Sequence, residues 1–167
     1  MKRENNKNKP VKIRSTNGVL VNGVVDVNVR FSRCCSPVPG DEIVGFITRG
    51  RGISIHRTDC VNVIALPESE KSRLVDVEWQ QESFHSNEKF MAEIKIFCNN
   101  RIGIFADISK IFTEREIDIA SMSSKTSKQG TATINMSFEV GGVDALQQLI
   151  NRLMAVNSVI DIERSNG

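Results

Sequence analysis

Aromatic side chains are scarce in this chain. Of its 167 residues eight are phenylalanine, one is tryptophan and none is tyrosine. A surface that reads single-stranded nucleic acid by stacking bases needs several exposed rings, so sequence-specific reading of that kind is not expected. No apolar run approaches the roughly eighteen residues that span a bilayer. The first segment, MKRENNKNKPVKIR, is charged and lacks the apolar stretch of a secretory signal. A cytoplasmic protein with no membrane partner is therefore expected. Histidine-aspartate pairs are also missing, since His56 is followed by Arg57 and His85 by Ser86, and no glycine-rich loop ends in a phosphate-binding lysine. The chain is read as carrying no catalytic residues of its own.

The chain is long enough for one medium domain or two small ones. Its net charge of +2 conceals an asymmetry: residues 1–60 hold eleven Lys or Arg against five Asp or Glu, and the remainder eleven against fifteen. A basic first half suits a polyanion such as RNA, and an acidic second half does not. Four cysteines, three of them near a histidine, fit a reducing compartment better than a disulfide scaffold.

The densest chemistry lies in RCCSPVPGDEIVGFITRGRGISIHRTDC, from Arg33 to Cys60. Twenty residues separate Cys35 from His56, and three separate His56 from Cys60. Cys34, Cys35, His56 and Cys60 are thus the candidate ligands of a metal, with Zn2+ favoured by the mix of thiol and imidazole. The His-x3-Cys spacing places its two ligands one turn apart on a helix beginning near Thr58. Neighbours on an extended strand diverge, so Cys34 and Cys35 can share a cation only where the backbone bends, and Pro37, Pro39 and Gly40 are candidates for the bend. A tight polar cluster without metal remains the other reading.

Around this segment, Val25, Val27, Val29 and Phe31 alternate as a half-buried strand after an Asn22-Gly23 turn. Ile43 to Ile47 reads as a second strand. Arg49-Gly50-Arg51-Gly52 is a tight loop leading into Ile53 and Ile55, and Thr58 or Asp59 caps a short helix through Val61, Ile64 and Ala65. Val75, Val77 and Trp79 form a last strand. Residues 68–72 and 80–89 have no hydrophobic period. Arg30, Arg33, Arg49, Arg51 and Arg57 make a basic cluster, with two of its guanidinium groups on a glycine-rich turn where backbone and side chain together suit phosphate.

From Phe90 the periodicity is clean. A strand over Met91 to Cys98 precedes a helix with apolar residues at 104, 105, 108, 111 and 112. A strand through Ile117, Ile119 and Met122 follows, then strict alternation over Ala132, Ile134, Met136, Phe138 and Val140. A helix through Val143, Leu146, Leu149, Ile150 and Leu153 and a strand at Val159, Ile160 and Ile162 complete βαββαβ, a ferredoxin-like order. Cys98, isolated in sequence, is assigned to the core. The fold class is α+β, divided as a disordered basic tail over 1–18, a small β-rich cysteine domain over 19–80, a linker over 81–89 and the ferredoxin-like domain over 90–165.

The run from Arg33 to Cys60 resembles the conserved-cysteine module of the RelA/SpoT homologue family, bifunctional synthetase/hydrolases of the alarmone (p)ppGpp that serve the stringent response. In that family the module is called a zinc-finger or ribosome-intersubunit domain, and an ACT domain follows it. The resemblance implies a regulatory fragment that binds ribosomal RNA on the tRNA-loaded ribosome and passes a starvation signal to catalytic domains lying outside this sequence. Arg30, Arg33, Arg49, Arg51 and Arg57 become the implied RNA contacts. The ACT resemblance implies, alternatively, a homodimer sensing an amino acid, the branched-chain ones first. Its small-ligand loop would comprise Asn99, Asn100, Arg101, Gly103, Ile104 and Asp107, with Asn100 and Ile102 standing where the usual signature has an acid and a proline.

Overall fold

The computed structural model describes residues 18–21, 28–80 and 87–166. Residues 1–17 of the expected tail, the Asn22-Gly23 turn with Val25 and Val27, and residues 81–86 of the expected linker lie outside the described residues.

The first region is built from short strands: β1 (Val19–Val21), β2 (Val29–Phe31), β3 (Ile43–Ile47), β4 (Ile53–Arg57), β5 (Leu74–Val75) and β6 (Val77–Trp79). Two single-turn helices, α1 (Val61–Ile64) and α2 (Glu68–Lys71), sit between β4 and β5. One sheet has the order β2-β4-β3-β5, and β1 pairs with β6 in a separate ribbon. β2 runs parallel to β4 while β3 is antiparallel to it. The alternation expected to make one strand of residues 75–79 is interrupted at Asp76, so that β5 joins β3 and β6 joins β1. A stretch read as aperiodic contains α2, held by Lys71 on Glu68 and Arg73 on Glu70, contacts between charged residues that no hydrophobic period records.

The second region follows its periodicity closely. β7 (Phe90–Asn99), α3 (Ile104–Glu114), β8 (Ile119–Thr126), β9 (Thr131–Val140), α4 (Val143–Met154) and β10 (Val159–Arg164) give the βαββαβ order. Their sheet runs β10-β7-β9-β8, antiparallel throughout. Alternate residues of β7 and β9, including Ile94, Ile96, Ile134 and Phe138, are buried with Ile104, Ile108 and Phe112 of α3 and Leu146, Leu149 and Leu153 of α4. Cys98 belongs to this core, its thiol donating to the Ala132 carbonyl at 3.6 Å.

The two regions pack against each other. Trp79 stacks on Phe31 with ring centroids 5.5 Å apart and meets Phe90 edge-on at 5.6 Å. Its indole N–H donates to the Asp41 carbonyl at 3.0 Å. Val38, from the loop after the paired cysteines, is fully buried within the core of the second region. Beside it the Val143 N–H donates to the Pro39 carbonyl at 2.8 Å, and a Cβ at Gly142 would stand 2.8 Å from that same oxygen. Glycine is therefore what lets α4 begin so close to the loop. Arg164 closes the seam with Nη1 on Asp41 Oδ1 at 2.7 Å and Nη2 on Oδ2 at 2.9 Å.

Gly45 of β3 tests how tightly the smaller core is filled. An added Cβ would meet Val75, Ile53 and Val77 at 2.8, 2.9 and 3.0 Å. Gly45→Ala is expected to cost about 1–3 kcal/mol of stability, the usual penalty of overpacking, measured by urea denaturation.

Candidate metal centre and basic surface

The adjacent cysteines converge because the chain turns sharply between β2 and the proline-rich loop. The Ser36 N–H donates back to the Ser32 carbonyl at 3.0 Å, and Ser36 takes a positive φ of 45°. The bend thus lies at residues 32–36, ahead of the prolines and Gly40 to which sequence reasoning assigned it. His56 comes from β4 and Cys60 from the position just before α1. The expected helical His-x3-Cys pair is instead a strand residue and a helix-cap residue. Thr58 and Asp59 do not cap α1: Asp59 binds Arg57, the Thr58 hydroxyl faces Glu42, and Cys60 holds the cap position without a side-chain hydrogen bond.

The ligand atoms of Cys34, Cys35, His56 and Cys60 all lie within 4.8 Å of one another. Cys34 Sγ is 3.5 Å from Cys60 Sγ, 4.0 Å from Cys35 Sγ and 3.4 Å from His56 Nδ1, and Cys35 Sγ is 3.9 Å from Nδ1. Four ligands at ordinary zinc bond lengths around a tetrahedron stand about 3.5–3.8 Å apart, so the residues fit such an ion. The surroundings fit as well. Ser54 Oγ lies 3.0 Å from His56 Nε2, where it can fix the tautomer that turns Nδ1 inward, and the Arg57 N–H donates to Cys35 Sγ at 3.3 Å.

Burial pushes the Cys35 thiol up to about 12, which disfavours an uncompensated thiolate there. Burial acts the same way on Cys34, but hydrogen bonds involving Ser32, Asn62, Cys60 and Cys35 outweigh it and bring that thiol below its ordinary value. Burial also lowers His56, keeping its imidazole neutral and able to donate a lone pair to a cation.

The arginines divide. Arg30, Arg33, Arg49 and Arg51 are exposed. Arg49 and Arg51 flank the tip between β3 and β4, where Gly50 and Gly52 adopt φ of 80° and 76° and the Thr48 hydroxyl donates to the Gly52 carbonyl at 2.7 Å. Arg49 makes a loose contact with Glu70 at 3.9 Å while its side chain stays 85 % exposed. Arg57 is different. It is buried, with Nε and Nη2 donating to Asp59 at 2.8 and 3.1 Å and Nη1 to the Cys35 carbonyl at 3.3 Å. Its guanidinium braces the cysteine turn and is not presented to a phosphate; alternation along a strand next to a charged loop gave no sign of this.

In the loop before α3, Gly103 has φ of 85° and Ile102 is fully exposed, while Ile104, the first residue of the helix, is buried. Asn99 and Asn100 donate their backbone N–H groups to Ser158 and Gly130. Arg101 ties the loop to its surroundings, donating to Asp107 at 2.7 Å, to the Asn157 carbonyl at 2.8 Å and to Ser158 Oγ at 3.2 Å. The six expected small-ligand residues are thus neighbours, but the cation and the carboxylate best placed to hold an amino acid hold each other.

A family model for the RelA/SpoT RIS domain matches residues 19–80, and one for an ACT domain matches residues 86–164. The chain is 37 % identical over 147 residues to a GTP pyrophosphokinase of Streptomyces coelicolor, covering 88 % of this chain and 17 % of that protein. It is 37 % identical over 150 residues to the GTP pyrophosphokinase of Escherichia coli, covering 89 % of this chain and 20 % of that one. The chain therefore spans about a fifth of the length of these relatives. The crystal structure of the ACT domain from the GTP pyrophosphokinase of Chlorobium tepidum overlaps with a TM-score of 0.42 at 26 % identity, over 46 % of this chain and 99 % of that one.

Of the four thiols only Cys34 is partly exposed. Brief alkylation at neutral pH in the presence of a chelator, followed by peptide mass mapping, is expected to label Cys34 before Cys35, Cys60 and Cys98. Equally rapid labelling of Cys60 would contradict the packing described.

Proposed function

Because the chain belongs to the RelA/SpoT family, carrying its RIS domain followed by an ACT domain, we propose that it is a regulatory segment of a (p)ppGpp synthetase/hydrolase that docks on ribosomal RNA and has no catalysis of its own. The observation that carries this reading is the β3–β4 tip. Two exposed arginines flank glycines that let the backbone approach a phosphate, and the hydrogen bond from Thr48 holds the tip in shape. Arg30 and Arg33, both exposed, are further candidate contacts in this reading. Docking of this kind takes its strength from phosphate neutralisation and needs no base-stacking platform, which accords with the shortage of rings.

In the same proposal Cys34, Cys35, His56 and Cys60 hold zinc, which when bound supplies a cross-link between β2, β4 and α1. A domain of this size gains from one: among the described residues its own buried apolar cluster is Val19, Val21, Val29, Ile53 and Ile55, and a core of that size is marginal alone. Signal transfer to catalytic domains outside this chain then requires only that the ribosome favour one of their two states over the other. A branched-chain amino-acid sensor is the weaker reading, because Arg101 and Asp107 already satisfy each other. Calorimetry with leucine, isoleucine and valine checks it.

Arg49→Glu with Arg51→Glu is expected to abolish ribosome association at physiological salt. Replacing each by Ala should flatten the dependence of log affinity on log salt by about 1.5, the effect of two lost phosphate contacts. Unchanged sedimentation with ribosomes would refute the RNA reading. Elemental analysis should find zinc at parity with the chain. Since thiol and imidazole must lose protons to bind it, zinc affinity should fall as pH drops from 8 to 6, an effect read by chelator competition.

A further inference from the structure

All four ligands of the proposed metal centre come from the RIS domain, yet the end of the ACT domain reaches behind them. Past β10 the chain crosses the backbone that carries the cysteines. Ser165 Oγ donates to the carbonyl of Cys34 at 3.1 Å. Arg164 Nη2 donates to the carbonyl of Ser36 at 3.3 Å. The carbonyl of Asn166 accepts the N–H of Val61, the residue after Cys60, at 2.8 Å. Three consecutive residues at the end of β10 and just beyond it thus hold both cysteine-bearing segments of the RIS domain. The grip continues through Asp41, whose carboxylate pairs with Arg164 and accepts the Val38 N–H at 2.9 Å, and whose carbonyl receives the Trp79 indole.

We propose that Arg164, Ser165 and Asn166 are positioning residues of the metal centre, completing it from the ACT side, so that binding of a thiophilic divalent cation and docking of the two domains are linked equilibria. The inference rests on the metal reading given above. None of the three touches a sulfur; they hold the peptide groups that aim Cys34, Cys35 and Cys60. A tetrahedral thiolate site tolerates little displacement of its ligands, so support at this distance sets affinity. Linkage is reciprocal: whatever factor docking adds to cation affinity, the bound cation adds to docking. The cation state of the RIS domain thereby becomes legible at the ACT surface.

Zinc affinity of the whole chain, measured by competition with a chromophoric chelator, tests this directly. Arg164→Ala with Ser165→Ala is expected to weaken zinc binding by about ten-fold or more, the range found for outer supports of metal ligands. Gly142→Ala presses on Pro39 from α4 and touches neither the ligands nor residues 164–166; it should weaken zinc in the same direction. In the unaltered chain, stripping zinc should shift the emission of Trp79, the sole tryptophan, as the seam around it loosens. If the double variant does not fold, as judged by circular dichroism, the other two measurements decide. A chain that takes up no zinc at all overturns both this inference and the metal reading. Zinc bound with unaltered affinity in the variants that fold, or Trp79 emission indifferent to zinc, overturns the linkage alone.

Discussion

Two side chains adjacent on an extended backbone point apart, and the RIS domain is shaped by the need to defeat that rule at Cys34 and Cys35. The Ser32 to Ser36 turn brings both sulfurs to one side, at the expense of a left-handed conformation at Ser36. What surrounds the turn keeps it there. Arg57 donates through its backbone to Cys35 Sγ and through its side chain to the Cys35 carbonyl. Its own charge is neutralised by Asp59, so a buried cation is admitted without an unpaired partner.

The turn also dictates how the two domains meet. Having reversed at Ser36, the chain must leave in the direction of Pro37, Val38 and Pro39, all buried. These residues enter the ACT domain as an apolar wedge, between Gly142 at the start of α4 and Arg164 at the end of β10. The aromatic cluster of Phe31, Trp79 and Phe90 seals the seam nearby. Three of the nine aromatic residues, the lone tryptophan among them, thus meet where the domains join, and they serve packing there.

The ACT half was legible because its physics is local and periodic. The alternation in β9 and the stripes of α3 and α4 each arise from one face packing on one core. Cys98 could be assigned to that core because it stood alone. The RIS half was legible in its ligand inventory and less so in its geometry: Cys60 proved to be a cap residue, and Arg57 a brace. A guanidinium looks the same in sequence whether it faces RNA or a backbone carbonyl, and only the burial of its neighbours distinguishes the two. The seam left no trace at all, since Asp41 and Arg164 are 123 positions apart and no repeat connects them.

The burial of Val38 inside the ACT core means that the boundary drawn by homology is not a boundary of cohesion. An ACT domain excised at its family limits would surrender that side chain and keep the socket, a loss on the order of 1.5–3 kcal/mol of apolar burial. Dissecting the two modules would therefore understate what each contributes in the intact chain, and properties of either in isolation describe a partly unplugged object.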